Sequence, residues 1–144
     1  MTKTKVAIGN DHAGTELKLR VMAAMDNQFE FINYGTDSED SVDYPDFVHP
    51  VAKDVESGKA SFGILICGSG NGVCMTANKY QGVRAGLAWL PEIAALTKQH
   101  NNANIICIPA RFLSEEAAFE VLQAYLDSEF EGGRHQRRVD KISC

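Results

Sequence analysis

Residues 62–72 read FGILICGSGNG: Phe62-Gly63-Ile64-Leu65-Ile66-Cys67, then Gly68-Ser69-Gly70-Asn71-Gly72. The first six form an unbroken apolar run of strand length, the pattern of a central parallel strand covered on both faces. The next five place a glycine at every second position, and the sequence predicts a helix starting near Val73. A loop of this kind lets backbone N–H groups converge on an anion, either a phosphate or a developing oxyanion. It is neither the dinucleotide fingerprint GxGxxG nor a phosphate loop ending in GK[ST]. The plainer alternative is a tight glycine-rich turn.

Similar strand-length runs lie on either side, separated by helix-like segments. Val6 to Ile8 reads as a short buried strand, and Glu16 to Met25 as a helix with Leu17, Val21 and Met25 on one face. Phe29 to Tyr34 is a second strand, followed by an Asp- and Ser-rich loop from Gly35 to Tyr44. Pro45 can open a helix at its first position, with Phe47, Val51 and Val55 on a shared face. Beyond the glycine loop, Val83 to Trp89 reads as strand, Pro91 to Gln99 as helix and Ile105 to Ile108 as the fifth strand. Ser114 can cap a helix to Leu126, with Glu115 and Glu116 favourable to its dipole, and a last short helix is expected from Arg134 to about Ile142. Alternating strands and helices specify an α/β sheet, mainly parallel. Ligands in such sheets bind outside the carboxyl ends of the strands. Asn10-Asp11-His12, Cys67 to Gly72 and Arg111 all sit at such ends, so the fold draws them towards one crevice.

The bulk properties limit the function. The chain has 144 residues, 44% of them hydrophobic, and a net charge of −5, which suits one compact domain and argues against nucleic acid as the main partner. No stretch approaches transmembrane length, so no membrane partner is expected. Met1 to Lys5 is charged and is followed by only a few apolar residues, unlike a secretory signal; a cytoplasmic location is expected. The four cysteines, Cys67, Cys74, Cys107 and Cys144, fit neither a CxxC pair nor a zinc-site spacing.

Four groups can carry chemistry. Cys67 is either a small core residue or a reactive thiol: a helix N-terminus and a nest of N–H groups favour the thiolate, which is a competent general base. For Cys74, Cys107 and Cys144 the structural reading prevails. Asp11-His12 is either a turn or an acid–imidazole pair able to orient a hydroxyl or help move a proton. His100, ahead of Asn101 and Asn102, ends a helix, and on the plainer reading it complements the helix dipole. Arg134 and Arg138 are four apart, on one face of a helix, and suit bidentate capture of a phosphate to which Arg111 can contribute; the plainer reading is a solvated helix end.

Together these pieces resemble the ribose-5-phosphate isomerase B family, which includes the galactose-6-phosphate isomerase subunits. The residues that carry the resemblance are GNDHAGTELK (Gly9–Lys18), DYPDF (Asp43–Phe47), ICGSGNG (Ile66–Gly72), NKYQGVRA (Asn78–Ala85), KQHNNANI (Lys98–Ile105) and FEGGRHQRRV (Phe130–Val139). Six motifs in order cover nearly the whole chain. The resemblance implies a single-domain Rossmann-like three-layer sandwich with a five-stranded parallel sheet. It also implies a homodimer with shared active sites, residues 130–144 packing at the interface, and pairing into tetramers left open. No metal or organic cofactor is implied. The implied reaction interconverts D-ribose 5-phosphate and D-ribulose 5-phosphate through a cis-enediol(ate). Alternatives are the same reaction on a 6-phosphohexose such as allose or galactose 6-phosphate, or a non-catalytic phosphate- or nucleotide-binding module.

By matched position, Cys67 resembles the base, and Val73 stands where some relatives use a glutamate instead. Ser69 resembles the hydroxyl that shuttles protons between O1 and O2, and the backbone of Gly68, Gly70, Asn71 and Gly72 would hold the enediolate. His100 resembles the acid that opens the furanose ring, with Asp11 as its partner and Asn101 near the reacting end. His12, Arg111, Arg134 and Arg138 match phosphate-binding positions, and Tyr44 matches a residue lining the sugar pocket. The sequence departs from the family at Asn102, at the bulky segment Ala88–Glu92 and at Cys107–Ala110, which lacks a glycine before Arg111.

Overall fold

The structure, a computed structural model, describes residues 2–144. Five strands form one sheet: β1 (Thr4–Asn10), β2 (Phe29–Asn33), β3 (Phe62–Cys67), β4 (Ala85–Leu87) and β5 (Ile105–Pro109). Their order is β2-β1-β3-β5-β4 and every pairing is parallel. The helices are α1 (Thr15–Met25), α2 (Tyr44–Ser57), α3 (Asn71–Ala77), α4 (Pro91–Gln99), α5 (Glu115–Leu126) and α6 (Arg134–Asp140), with a 3-10 turn at His12–Gly14.

Alternation along the strands divides the core into two layers. Ile64 and Ile66 of β3 join Val6, Ile8, Ile106 and Ile108 against α1, α4 and α5. Leu65 and Cys67 join Ala7, Ile105 and Cys107 on the opposite face, against α2 and α3. The apolar run in β3 thus has to be hydrophobic at every position, because both faces are covered.

Several boundaries differ from the sequence reading. Helix α3 starts at Asn71, not Val73, because Gly70 takes the left-handed conformation (φ +77°) and serves as its N-cap. Strand β4 covers three residues rather than the seven from Val83 to Trp89. It is an edge strand, and on its free flank the Asn78 side chain bonds both Ala85 N–H and Ala85 O in place of a sixth strand. Helix α6 stops at Asp140 rather than at Ile142. On α2 the buried face is Val48, Val51, Ala52 and Val55, with Phe47 only half-buried. On α1 it is Lys18, Val21 and Met25: a lysine, fully buried, takes a core position, and Leu17 is half-buried.

Candidate active site

The chain leaves β1 towards β2 on one side and leaves β3 towards β5 and β4 on the other. The carboxyl ends of β1 and β3 are therefore the switch point of the sheet, where a crevice forms. Asp11 follows β1 and its backbone N–H donates to Ile66 O in β3 at 3.2 Å, joining the two strands just where they diverge. Its carboxylate accepts from Ala13 N–H at 2.9 Å and caps the 3-10 turn.

The loop after β3 wraps around the sulfur. Gly70 N–H donates to Cys67 Sγ at 3.2 Å, and Cys67 is 5% exposed. The turn that brings this N–H back needs a positive φ at Gly70, and a Cβ there would strike Leu87 Cδ1. Ser69 is exposed at the rim, its Oγ accepting from Asn71 N–H at 3.3 Å. Gly72 packs under the Tyr44 ring, and any Cβ at residue 72 would lie 2.6 Å from Tyr44 Cε1. On the other side Ala110 N–H and Arg111 N–H donate to Cys67 O and Gly68 O at 2.9 and 3.0 Å. This lays the Arg111 side chain along Gly68, where a Cβ would sit 3.2 Å from its Nη1. Val73, in the place of the glutamate, is fully buried.

His12 is fixed from a distance. Its Nδ1 accepts from Val42 N–H at 3.3 Å, which leaves Nε2 free to carry a proton. Val42 belongs to the loop between β2 and α2, and that loop is tied down by buried groups. Lys18 Nζ donates to Thr36 O (2.6 Å), to Asn33 Oδ1 (3.2 Å) and to Asp37 Oδ1. Asn10 Nδ2 donates to Thr36 O (3.0 Å), and Thr15 Oγ donates to Ser38 O (2.7 Å). Lys18 and Asn10 lie inside the GNDHAGTELK motif, yet the sequence reading assigns them no role. Lys18 shares the helical face of Val21 and Met25, and a lysine at a core position is the signal that could have revealed it.

His100, Asn101, Arg134 and Arg138 do not join this crevice within one chain. Because β4 and β5 are parallel, α4 must run from the carboxyl end of β4 back to the amino end of β5. His100 closes α4 and therefore lies at the amino edge of the sheet, whereas Cys67 lies at the carboxyl edge. A five-residue strand such as β5 spans about 16 Å. Helix α5 returns in the same way, its Tyr125 OH donating to Ala103 O at 2.7 Å, and Glu131 N–H then donates to Gln99 O at 2.9 Å. This delivers α6 to His100. A cavity of about 300 Å³ there is lined by His100, Asn101, His135, Arg138, Val139 and Ile142.

His135 and Glu131 in that group were not singled out from the sequence. The imidazoles of His100 and His135 stack at 4.2 Å with an 11° interplanar angle. Glu131 Oε1 lies 3.6 Å from His100 Nε2 and 3.7 Å from His135 Nε2. Burial, then the nearby His100 and Arg134, push the His135 pKa below the ordinary imidazole value. Glu131 and His135 are four residues apart, flanking the glycine pair, a spacing visible in the sequence but overshadowed by the arginines.

The remaining cysteines differ in burial. Cys107 is fully buried, and burial and the neighbouring Cys74 push its thiol pKa up. Cys74 Sγ donates to Ala85 O at 3.3 Å, and Cys144 is exposed. Among the described residues no helix is long and apolar enough to cross a membrane.

Comparison with known proteins gives the family. The model of the family described as Ribose/Galactose Isomerase matches residues 6–142. Ribose-5-phosphate isomerase B of Escherichia coli is 40% identical over 141 residues, spanning 97% of this chain and 95% of that one. A crystal structure of a ribose 5-phosphate isomerase from Thermotoga maritima is 44% identical and superposes with a TM-score of 0.94 over 99% of each chain. Ribose-5-phosphate isomerase B from Mycoplasma genitalium, solved with bound ribulose-5-phosphate, is 41% identical, with a TM-score of 0.93 over 99% of this chain and 95% of that one. A family model matching residues 6–142 and a fold shared over nearly the full length place this chain in the ribose/galactose isomerase family.

Proposed function

We propose that the protein interconverts D-ribose 5-phosphate and D-ribulose 5-phosphate through a cis-enediol(ate), with Cys67 as the general base. The observation that carries this reading is the Gly70 N–H bond to Cys67 Sγ at the sheet's switch point. Here the Cys67 sulfur, the amides of the glycine loop and the Arg111 side chain share one crevice. Starting from the aldose, the Cys67 thiolate takes the proton from C2, and the electrons move towards the C1 carbonyl to give the enediolate. The same sulfur returns the proton to C1, while O2 loses a proton and O1 gains one through Ser69. The amides of Gly68 to Gly72 stabilise the charge that develops on oxygen, usually the largest catalytic contribution. His100, paired with Asp11, opens the ring, Asn101 binds near the reacting end, and Tyr44 lines the sugar pocket. His12, Arg111, Arg134 and Arg138 take the phosphate. The relative that holds ribulose-5-phosphate supports a pentose over a hexose.

The working unit on this reading is a homodimer. His100 and the α6 arginines lie at the wrong end of their own sheet, so a second copy must supply them to the Cys67 crevice. Beside Ser69 and Asn71 an apolar cavity of about 570 Å³ is walled by Leu87, Trp89, Leu90 and Phe112. Three of these are large exposed hydrophobics, Trp89 at 47%, Leu90 at 51% and Phe112 at 75%. Such a patch marks an interface, and it adjoins the loop that the second copy would complete. The protein is expected to act in the cytoplasm.

The test is a panel of ribose 5-, allose 6- and galactose 6-phosphates with the purified enzyme and no added metal, following ketose formation. Preference for the pentose supports the proposal, and preference for a hexose overturns the substrate while keeping the chemistry. No turnover of any points to a binding module. Cys67→Ala should keep the fold and phosphate binding while turnover falls by at least a thousandfold, since removing a base and nucleophile-type group costs on the order of 10³ or more. Retention of most activity would exclude Cys67 as the base.

A further inference from the structure

Outside the Cys67 crevice, one group of side chains has a ligand geometry of its own. His100 ends α4, His135 is in α6, and Glu131 is held between them by its backbone bond to Gln99 O. One imidazole nitrogen from each histidine and one carboxylate oxygen all lie within 4.8 Å of one another. Two ligands at tetrahedral angles on Zn2+, with metal bonds of 2.0–2.1 Å, are separated by about 3.4 Å. The histidine–carboxylate separations of 3.6 and 3.7 Å need to contract by only a few tenths of an ångström. The rings, stacked at 11°, must turn well away from parallel for both lone pairs to meet one ion, so the site is completed only on binding. His135 is already largely buried, so little side-chain freedom remains to be lost there.

We propose that His100, Glu131 and His135 form a binding site for a Zn2+-class transition metal ion, and that the bound ion inhibits the enzyme. Two imidazoles and one carboxylate are a borderline donor set. It suits Zn2+, Co2+ or Ni2+ and does not suit Mg2+ or Ca2+, which require mostly oxygen. Three protein ligands leave a fourth position open to water. Arg134 and Arg138, on the same helix as His135, oppose a cation and hold the affinity below that of an isolated site of the same ligands. Phosphate bound by those arginines would lessen this opposition. The inhibitory part rests on the proposed function: the His100 nitrogen that holds the metal cannot also give a proton to the ring oxygen.

The experiment uses the full-length protein, stripped with a chelator and then freed of it. Zn2+ is titrated against a chromophoric chelator in the absence of sugar, with Mg2+ as a control. One Zn2+ per chain is expected, with at least tenfold weaker binding in Glu131→Gln and in His135→Ala, and unchanged binding in Cys67→Ala and Cys144→Ser. No stoichiometric Zn2+, or binding lost with a cysteine and kept in Glu131→Gln, overturns the site. Co2+ in place of Zn2+ should give visible ligand-field bands that the two ligand variants lack; bands unaltered in those variants also overturn it. With ribose 5-phosphate, the Zn2+ concentration that halves turnover should rise at least tenfold in Glu131→Gln. Binding without loss of turnover overturns the inhibitory role. Zn2+ bound by these ligands in a protein that turns over no sugar phosphate sustains the site and rejects the function instead.

Discussion

Replacing Asp37 by alanine should destabilise the protein more than replacing Lys18 by methionine, although Lys18 is the buried partner. The Lys18 side chain is fully buried and that of Asp37 is 66% exposed. Without Asp37, a buried ammonium keeps only Thr36 O and Asn33 Oδ1. Orphaning a buried charge costs about 3–5 kcal/mol; two remaining neutral acceptors and an exposed partner put Asp37→Ala at about 3 kcal/mol. Lys18→Met orphans nothing. Thr36 O still accepts from Asn10 Nδ2, Asn33 Oδ1 from Gly35 N–H, and Asp37 from Asn33 Nδ2 and water. The unbranched methionine fills most of the lysine's volume, and the desolvation of the ammonium disappears with it, so the net cost is about 1 kcal/mol. The gap of about 2 kcal/mol corresponds to about 1 M in the urea midpoint for a domain of this size. Unfolding is followed at one fixed protein concentration, because association contributes to apparent stability. The double variant should resemble Lys18→Met alone. Lys18→Met proving at least as destabilising as Asp37→Ala would refute the reasoning. Acid gives a second check. Hydrogen bonds from Lys18, then Asn33, hold the Asp37 carboxyl below its ordinary 3.8. Its contribution is complete above that value and is lost as pH falls through the lower folded pKa, so Asp37→Ala should flatten the acid limb.

Gly70→Ala puts a side chain at φ +77° and against Leu87, so it should cost about 1–3 kcal/mol. Because it displaces the N–H that meets Cys67, turnover should fall more than tenfold while KM changes little; steady-state kinetics and urea unfolding separate the two. Tyr125→Phe leaves the buried Ala103 carbonyl without its 2.7 Å donor and should lower stability by about 1–3 kcal/mol with turnover unchanged, read from the same pair of assays.

The fold was legible in the sequence because its decisive element is a strand whose every residue must be apolar, followed by a loop that only glycines can form. Strand order was not, since an alternating pattern is the same for several parallel sheets and β1 pairs across the sequence with β3. Edge strand β4 was overread at its start because Val83 is buried without strand pairing, its N–H donating to Tyr80 O in a turn. Asp11, Cys67 and Arg111 could be brought together from strand ends alone. Lys18 could not, because a lysine counts as a surface residue until its three acceptors, supplied by a loop 15 to 19 residues away, are in place. His135 was hidden for a different reason: its partner His100 is distant in sequence, and only the return of α5 joins them.

The division of the site between the two ends of the sheet is itself testable. Parallel pairing of β4 with β5 fixes the direction of α4, so no side-chain rearrangement within a chain brings His100 to Cys67. If a second copy supplies His100, then Cys67→Ala and His100→Ala, each inactive on a furanose substrate, should complement when their subunits exchange. In a two-fold dimer the mixed species has one site carrying both defects and one carrying neither. Random exchange makes half of the dimers mixed, so the mixture should recover about a quarter of wild-type turnover per chain. A site completed within one chain would give no recovery whatever the mixing ratio, and the dimer would then have to be justified by the Trp89–Phe112 patch alone. Recovery near a quarter would assign the base and the ring-opening acid to different chains, and would explain why the catalytic loop lies beside an exposed apolar surface.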